Sequence, residues 1–255
     1  MTMRVLRTLV FTATFYGVTT LFLLFILPGL VMPYHWMLWY KQTWLGFVIW
    51  LLRHQIGLVH ELRGQRNIPA GPVIFAVKHQ SIWETLGLSL VHAETAIVLK
   101  QELTWIPIFG WYLIRMNMIP IRRAKGIEAL RSINRAAQKV VDKGRSVMIF
   151  PQGTRTAPGT KAPYLPGVAA LYNALGIPVV PIALNSGLFW PRQQFRHLPG
   201  TILVEYLEPI PPGLKRKAFM NILEERIEAG TARLEAEARR DYPWVSQAAA
   251  EPGKT

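Results

Sequence analysis

The sequence predicts an α/β domain that follows an N-terminal pair of apolar helices. Residues 8–34 contain no Asp, Glu, Lys or Arg. After Arg53, short apolar runs that end at turn residues alternate with helical segments of mixed polarity. We therefore expect a helix pair at residues 1–52, a globular domain at residues 53–245 and a disordered tail at residues 246–255.

The first apolar run is long enough to cross a bilayer, which takes roughly 20 residues. It is too long for a typical signal peptide, and no small-x-small cleavage site follows it. A second apolar stretch, from Trp36 to Leu52, is rich in tryptophan, which is typical of a membrane interface. Arg4 and Arg7 favour a cytoplasmic N-terminus, and the basic body favours the same side. We expect a membrane-embedded hairpin or re-entrant pair that returns to the cytoplasmic face of the inner (plasma) membrane.

After Arg53, the pattern of apolar and polar residues predicts the individual strands and helices of the globular domain. The predicted strands are Val73–Val77, Ala96–Leu99, Ser146–Phe150, Val179–Leu184 and Thr201–Tyr206. The predicted helices are Ser81–Val91, Gly126–Lys143, Val168–Leu175 and Lys217–Arg240.

Charge and composition narrow the class of function. The net charge of +14 comes from residues 1–200, which hold 21 Lys and Arg against 6 Asp and Glu, whereas residues 201–255 hold 8 against 9. A basic body behind an apolar N-terminus favours membrane lipids and anionic small substrates, and no recognisable nucleic-acid module appears. The chain has no Cys, which excludes disulfides and a thiol nucleophile. The sequence also lacks a G-x-S-x-G elbow, the pattern typical of enzymes that form a serine acyl-enzyme.

A histidine directly after a predicted strand is the first chemical signal. His79 lies where α/β domains place their chemistry, just beyond a strand's carboxyl end. Glu84 follows five residues later and ends the S-x-x-E pattern of a capping box that begins at Ser81. Residues five apart are about 140° apart around a helix. The two side chains can therefore meet only if His79 folds back from the loop, and both capping and pairing remain open for Glu84.

A candidate anion-binding turn follows another predicted strand. Gly153 lets the backbone approach a ligand, Thr154 adds a hydroxyl, and Arg155 can bind phosphate bidentately. An ordinary turn is the alternative. A histidine that takes a proton from a hydroxyl, together with a phosphate-binding turn, suggests acyl transfer onto a phosphorylated alcohol.

These residues resemble the glycerolipid acyltransferase family in four ordered blocks that span roughly residues 74–184. N-H-x-x-x-x-D is matched at residues 78–84, G-x-x-F-I-x-R at 117–123, F-P-E-G-T-R at 150–155 and V-P-hydrophobic-A at 180–183. The departures include Glu84 for Asp, Gln152 for Glu, and Asn117 and Pro120 in the second block. Gln152 is expected to remove a negative charge near the bound phosphate and to alter the choice of acceptor.

The resemblance implies a mixed, mainly parallel central sheet flanked by helices. It also implies that an acyl-CoA or acyl carrier protein donor acylates the sn-2 hydroxyl of lysophosphatidic acid, without a cofactor or metal. His79 is then the general base and Glu84 its orienting carboxylate. The substrate-binding residues are Lys100, Arg123, Gly153, Thr154 and Arg155. Another lysolipid acceptor, an esterase and a noncatalytic lipid-binding protein of the same fold are the alternatives.

Overall fold

The computed structural model describes residues 3–25, 27, 31, 33–122, 126–192 and 197–246. The helices are α1 (Met3–Phe25), α2 (Tyr34–Leu51), α3 (Trp83–Val91), α4 (Phe109–Arg115), α5 (Gly126–Val141), α6 (Gly167–Leu175) and α7 (Arg216–Asp241). The strands are β1 (Leu58–Arg63), β2 (Ile74–Val77), β3 (Ala96–Lys100), β4 (Ile119–Ile121), β5 (Val147–Ile149), β6 (Val179–Leu184) and β7 (Gly200–Tyr206).

The strands form one seven-stranded sheet in the order β1-β7-β6-β2-β5-β3-β4. Only the β6–β7 pair is antiparallel, and every other neighbouring pair is parallel. The mixed, mainly parallel sheet that the family resemblance implies is therefore confirmed. A parallel sheet has to be covered on both faces, because its strands are apolar on both sides.

The core accordingly lies on both faces of the sheet, and β2 divides it. Ile74 and Ala76 face a cluster that includes residues of α5, α6 and α7, whereas Phe75 and Val77 face a cluster that includes residues of α1, α2 and α3. All four β2 side chains are buried. This central position leaves only the carboxyl end of β2 free to carry chemistry.

Every predicted strand is present with its ends within one residue, and the four predicted helices end within two residues of the observed bounds. Three elements were not predicted. β1 is an edge strand with one buried residue, Leu58. β4 is a three-residue edge strand that contains Pro120, and proline weakens a strand signal. α4 has only seven residues, which is too short for a clear helical period.

The two N-terminal helices run antiparallel. The Tyr40 hydroxyl donates to the Phe22 carbonyl at 2.6 Å, and Trp44 Nε1 donates to Thr19 Oγ1 at 3.3 Å. Lys41, which interrupts the second apolar stretch, is buried and donates from Nζ to the Ala93 carbonyl. α2 therefore contacts the domain through this polar residue as well as through its buried apolar residues.

One helix has the length and hydropathy of a candidate membrane span. Among the described residues, Val5–Phe25 is the helical segment that is long and apolar enough to cross a membrane. In the predicted tail, only Ser246 belongs to the described residues.

α7 approaches the sheet closely because residue 230 is glycine. A Cβ at Gly230 would lie 2.8 Å from Ala183 Cβ and 3.3 Å from Leu207 Cδ1. Ala183 is in β6 and fully buried. The contact therefore leaves no room for a methyl group unless α7 moves.

We expect Gly230→Ala to lower the free energy of unfolding by about 1–3 kcal/mol, the usual cost of overpacking, although alanine favours a helix by about 1 kcal/mol. Gly46→Ala in α2 is the matched control, since its Cβ would meet nothing within 4 Å. Denaturant unfolding of both variants measures the difference. A Gly230→Ala variant as stable as Gly46→Ala would contradict the close packing of α7.

Candidate active site

The carboxyl ends of β2 and β5 lie side by side at the centre of the sheet. The strands are parallel and in register, with Ala76 opposite Ile149. His79 follows β2 and Phe150 follows β5. Their rings stack with centroids 4.0 Å apart and planes at 20°. Two sequence segments that are far apart in the chain therefore meet at one edge.

His79 lies in the loop before α3 and pairs with Glu84 in the first turn of that helix. The distance between His79 Nδ1 and Glu84 Oε1 is 2.8 Å. The geometric condition that the sequence sets for this pair is met, because the loop folds back over the helix. The side chain of His79 is 17% exposed, while that of Glu84 is fully buried.

Three further donors hold the Glu84 carboxylate. The backbone N–H groups of Gln80 and Ser81 donate to Oε1 at 2.6 and 2.7 Å, and Ser186 Oγ donates to Oε2 at 2.7 Å. A buried carboxylate is tolerated only when its oxygens are satisfied in this way. Glu84 accepts the Ser81 N–H bond that a capping box requires and pairs with His79 at the same time, although the N-cap of α3 is Ile82 and not Ser81. The sequence offers no signal for Ser186.

The hydrogen bond to Glu84 determines which ring nitrogen of His79 is available to react. When Nδ1 carries a hydrogen and donates it to Glu84, Nε2 has the free lone pair of the neutral imidazole. A buried carboxylate at Nδ1 also stabilises the imidazolium that forms when Nε2 takes a proton. His79 is therefore arranged as a base for a hydroxyl that reaches Nε2.

The Gly153-Thr154-Arg155 turn is tied to the His79 loop. Gly153 has φ +66° and donates its N–H to the Phe150 carbonyl at 2.9 Å. Next to the turn, Thr156 donates to the His79 carbonyl from its backbone N–H at 2.8 Å and from Oγ1 at 3.1 Å. The turn and the base thus share a rigid connection.

A second guanidinium lies beside this turn. Arg192 Nη1 donates to Thr154 Oγ1 at 3.2 Å and to the Arg155 carbonyl at 3.4 Å. Thr154 and Arg192 are both exposed, so the cationic group faces solvent. Sequence reasoning missed Arg192, because no motif spacing distinguishes it from other surface arginines.

Of the remaining predicted residues, Lys100 lies at the same edge of the sheet. Lys100 is exposed at the carboxyl end of β3, which is the neighbour of β5. Arg123 lies outside the described residues. Lys100 is therefore on the correct edge, two strands away from His79.

Gln152 and Lys78 both point into the protein. The Gln152 side chain is buried, and its Nε2 lies 3.4 Å from Glu228 Oε1. Lys78 is 1% exposed and pairs with the same carboxylate. The Gln152 side chain therefore turns towards Glu228 of α7, and its effect on the choice of acceptor stays a prediction.

Tyr164 completes the surroundings of Glu228. Burial raises the pKa of the Tyr164 phenol, and the charge of Glu228 raises it further. The hydroxyl therefore stays protonated and donates to Glu228 Oε1 at 2.9 Å.

Residues 59–185 match the family model described as Acyltransferase. The chain is 41% identical over 163 residues to a 1-acyl-sn-glycerol-3-phosphate acyltransferase of Pseudomonas aeruginosa, covering 64% of this chain and 63% of that protein. It is 32% identical over 158 residues to a protein of the same name from Cocos nucifera, covering 61% of this chain and 51% of that protein. The chain thus matches less than two thirds of the length of these relatives.

A solved structure has the same fold. The crystal structure of the 1-acyl-sn-glycerophosphate (LPA) acyltransferase PlsC from Thermotoga maritima superposes with a TM-score of 0.74 at 23% identity. The similarity covers 91% of this chain and 98% of the other. It therefore extends well beyond residues 59–185 on both sides.

Proposed function

The chain belongs to the acyltransferase family through residues 59–185, and from this premise we propose that it is a membrane-bound enzyme that acylates the sn-2 hydroxyl of lysophosphatidic acid. The product is phosphatidic acid. The observation that carries the proposal is the 2.8 Å pair of His79 and Glu84 beside the Gly153-Thr154-Arg155 turn. The names of the relatives above support the same acceptor.

The chemistry follows from the orientation of His79. Nε2 takes the proton of the acceptor hydroxyl while the oxygen attacks the thioester carbonyl carbon of the donor. The new C–O bond forms, the C–S bond breaks, and the protonated His79 returns the proton to the leaving thiolate. Glu84 holds the ring in place and stabilises its charged form. Each atom and proton is supplied by the two substrates and His79, so the step as written needs no cofactor.

Cationic side chains around the Gly153-Thr154-Arg155 turn would bind the phosphate of the acceptor. Arg155 supplies a guanidinium that can grip phosphate bidentately, and Arg192 adds charge next to Thr154. Lys100 and Arg123 complete the proposed acceptor site. The same basic surface suits an anionic donor, either acyl-CoA or acyl carrier protein.

The N-terminal helices would bring this site to its lipid substrate. α1 has the length and hydropathy of a membrane helix, and Trp36, Trp39 and Trp50 of α2 are exposed. Tryptophan favours the boundary between acyl chains and headgroups. We place the catalytic domain on the cytoplasmic face of the inner membrane, as the positive charge near α1 and in the body favours.

Assays with purified protein in detergent test the reaction. Lysophosphatidic acid and monoacylglycerol differ only in the phosphate, and each is offered with acyl-CoA and with acyl carrier protein thioester. We expect transfer to the phosphate-bearing acceptor. In Arg155→Lys, the KM for that acceptor should rise more than the KM for the donor, because lysine lacks the planar fork. An equal rate with both acceptors would contradict the proposed phosphate site.

Glu84→Gln separates catalysis from capping. The amide oxygen can still accept the N–H groups of Gln80 and Ser81, and the Ser186 hydroxyl can turn to accept from the amide. Only the negative charge beside His79 is lost. We expect turnover to fall by about 10²-fold or more, since a general base contributes roughly 10²–10⁴-fold, while the melting temperature barely changes.

Glu84→Asp and His79→Ala are the companion variants. The first retains the charge and should keep much more activity than Glu84→Gln, and the second gives the rate without a base. Turnover and thermal unfolding of all three are compared with the unmodified protein. A fully active Glu84→Gln would show that Glu84 serves the loop alone.

Single-cysteine labelling tests the membrane arrangement, because the chain has no native Cys. Thr2→Cys and Ser246→Cys variants are treated with an impermeant thiol reagent in intact cells and after lysis. Both sites should be labelled only after lysis, since both ends are proposed to be cytoplasmic. Labelling of Ser246→Cys from outside would rule out this topology.

A further inference from the structure

Two carboxylates of α7 contact the residues on either side of His79. Glu228 and Glu235 are seven residues apart, which is close to two helical turns, so they share one face of the helix. Glu228 binds Lys78, and Glu235 Oε1 accepts from Gln80 Nε2 at 2.6 Å. Both neighbours of His79 in the chain are therefore held by the same helix, which lies outside residues 59–185.

The Lys78–Glu228 pair is the stronger of the two links. Lys78 Nζ lies 2.8 Å from each Glu228 oxygen, and the lysine side chain is 1% exposed. An ammonium group that is removed from water needs a partner of opposite charge, because burying it unpaired is very costly. Lys78 is therefore held in place by Glu228, and the end of β2 is held with it.

Glu228 also holds the segment after β5. Its Oε1 accepts from Tyr164 and lies 3.4 Å from Gln152 Nε2, and the Pro151 carbonyl accepts from the Leu165 N–H at 2.8 Å. One carboxylate thus joins the strand end that carries His79 to the segment that carries the Gly153-Thr154-Arg155 turn. These are the two segments whose separation has to match the distance between a hydroxyl and a phosphate in the acceptor.

We propose that Glu228 is a positioning residue that sets the distance between His79 and the Gly153-Thr154-Arg155 turn through its ion pair with Lys78. The inference rests on the proposed function. Glu228 does not touch the reacting atoms; it determines whether an acceptor bound by its phosphate presents its hydroxyl to Nε2. A misplacement of about 1 Å at a reacting centre can cost 10²-fold in rate, so a small shift at this link is measurable.

The charges of Lys78, Glu228 and Gln152 suggest a test in which the glutamate and the glutamine exchange places. Lys78 and Glu228 balance, and Gln152 is neutral. Glu228→Gln leaves the buried cation unpaired, while Gln152→Glu adds a second carboxylate next to the first. The double variant Glu228→Gln/Gln152→Glu again has one carboxylate, which is then at position 152. Because Gln152 and Lys78 contact the same Glu228 oxygen, a glutamate at 152 is near enough to pair with Lys78.

The readout has to distinguish positioning from simple stabilisation. Transfer to lysophosphatidic acid needs both His79 and the turn, whereas slow hydrolysis of the thioester without acceptor needs His79 alone. We expect Glu228→Gln and Gln152→Glu each to lower the ratio of transfer to hydrolysis by roughly 10- to 100-fold. The double variant should return the ratio to within about threefold of the unmodified protein. Rates are divided by the folded fraction from thermal unfolding.

Glu237→Gln is the matched control. Glu237 is on the same helix and accepts from Arg63 Nη1 and Nη2 at 2.9 and 2.8 Å, but Arg63 ends β1 at the sheet edge. Its loss weakens the attachment of α7 without touching the catalytic segments. The ratio of transfer to hydrolysis should stay unchanged even if the protein becomes less stable.

Each result decides the proposal. A Glu228→Gln variant that transfers within twofold of the unmodified protein, or that loses transfer and hydrolysis equally, overturns it. If Glu228→Gln does not fold, a folded double variant with a normal ratio supports the proposal, and a double variant that has lost the ratio or does not fold overturns it. Failure of the unmodified protein to transfer at all contradicts the proposed function instead.

Discussion

The parallel pairing of β2 with β5 is the constraint on which the catalytic arrangement depends. Neighbouring parallel strands end at the same edge of a sheet, and this pairing brings His79 against Phe150 in the centre of the molecule. His79 and the Gly153-Thr154-Arg155 turn then need only short loops to reach each other. Hydrogen bonds from Thr156 to the His79 carbonyl fix those loops.

Burial of charge beneath this edge makes the arrangement specific. Glu84 is fully buried and receives four hydrogen bonds, while Lys78 is buried against both oxygens of Glu228. Such groups are costly to bury unless their geometry is nearly ideal. A shifted loop would leave a charge unsatisfied, so the buried charges favour one conformation of the loops that carry the reacting groups. The buried side of the site is therefore polar, whereas Arg192 and Lys100 are exposed and Arg155 is partly exposed.

The helix pair is attached to the domain by apolar and polar contacts, and part of its apolar surface remains exposed. Lys41 binds the Ala93 carbonyl and Gln42 Nε2 donates to the Ser89 carbonyl at 3.3 Å, so the polar residues of α2 face α3 and the loop after it. Large apolar side chains of α1 and α2 remain exposed. Since α3 carries Glu84, α2 lies close to the loop that carries His79.

The sequence by itself determined the α/β class, five of the seven strands, the capping pattern of Glu84 and the turn at Gly153. Each of these depends on residues that are close in the chain, where periodicity and turn chemistry are readable. The short edge strands β1 and β4 lack that periodicity and become visible only in the sheet. Whether Lys78 and Gln152 face solvent or the interior was decided by tertiary structure alone, because their partner Glu228 comes from a helix far along the chain. The same holds for Ser186 and Arg192, whose contacts with Glu84 and Thr154 exist only once the carboxyl ends of the strands are assembled.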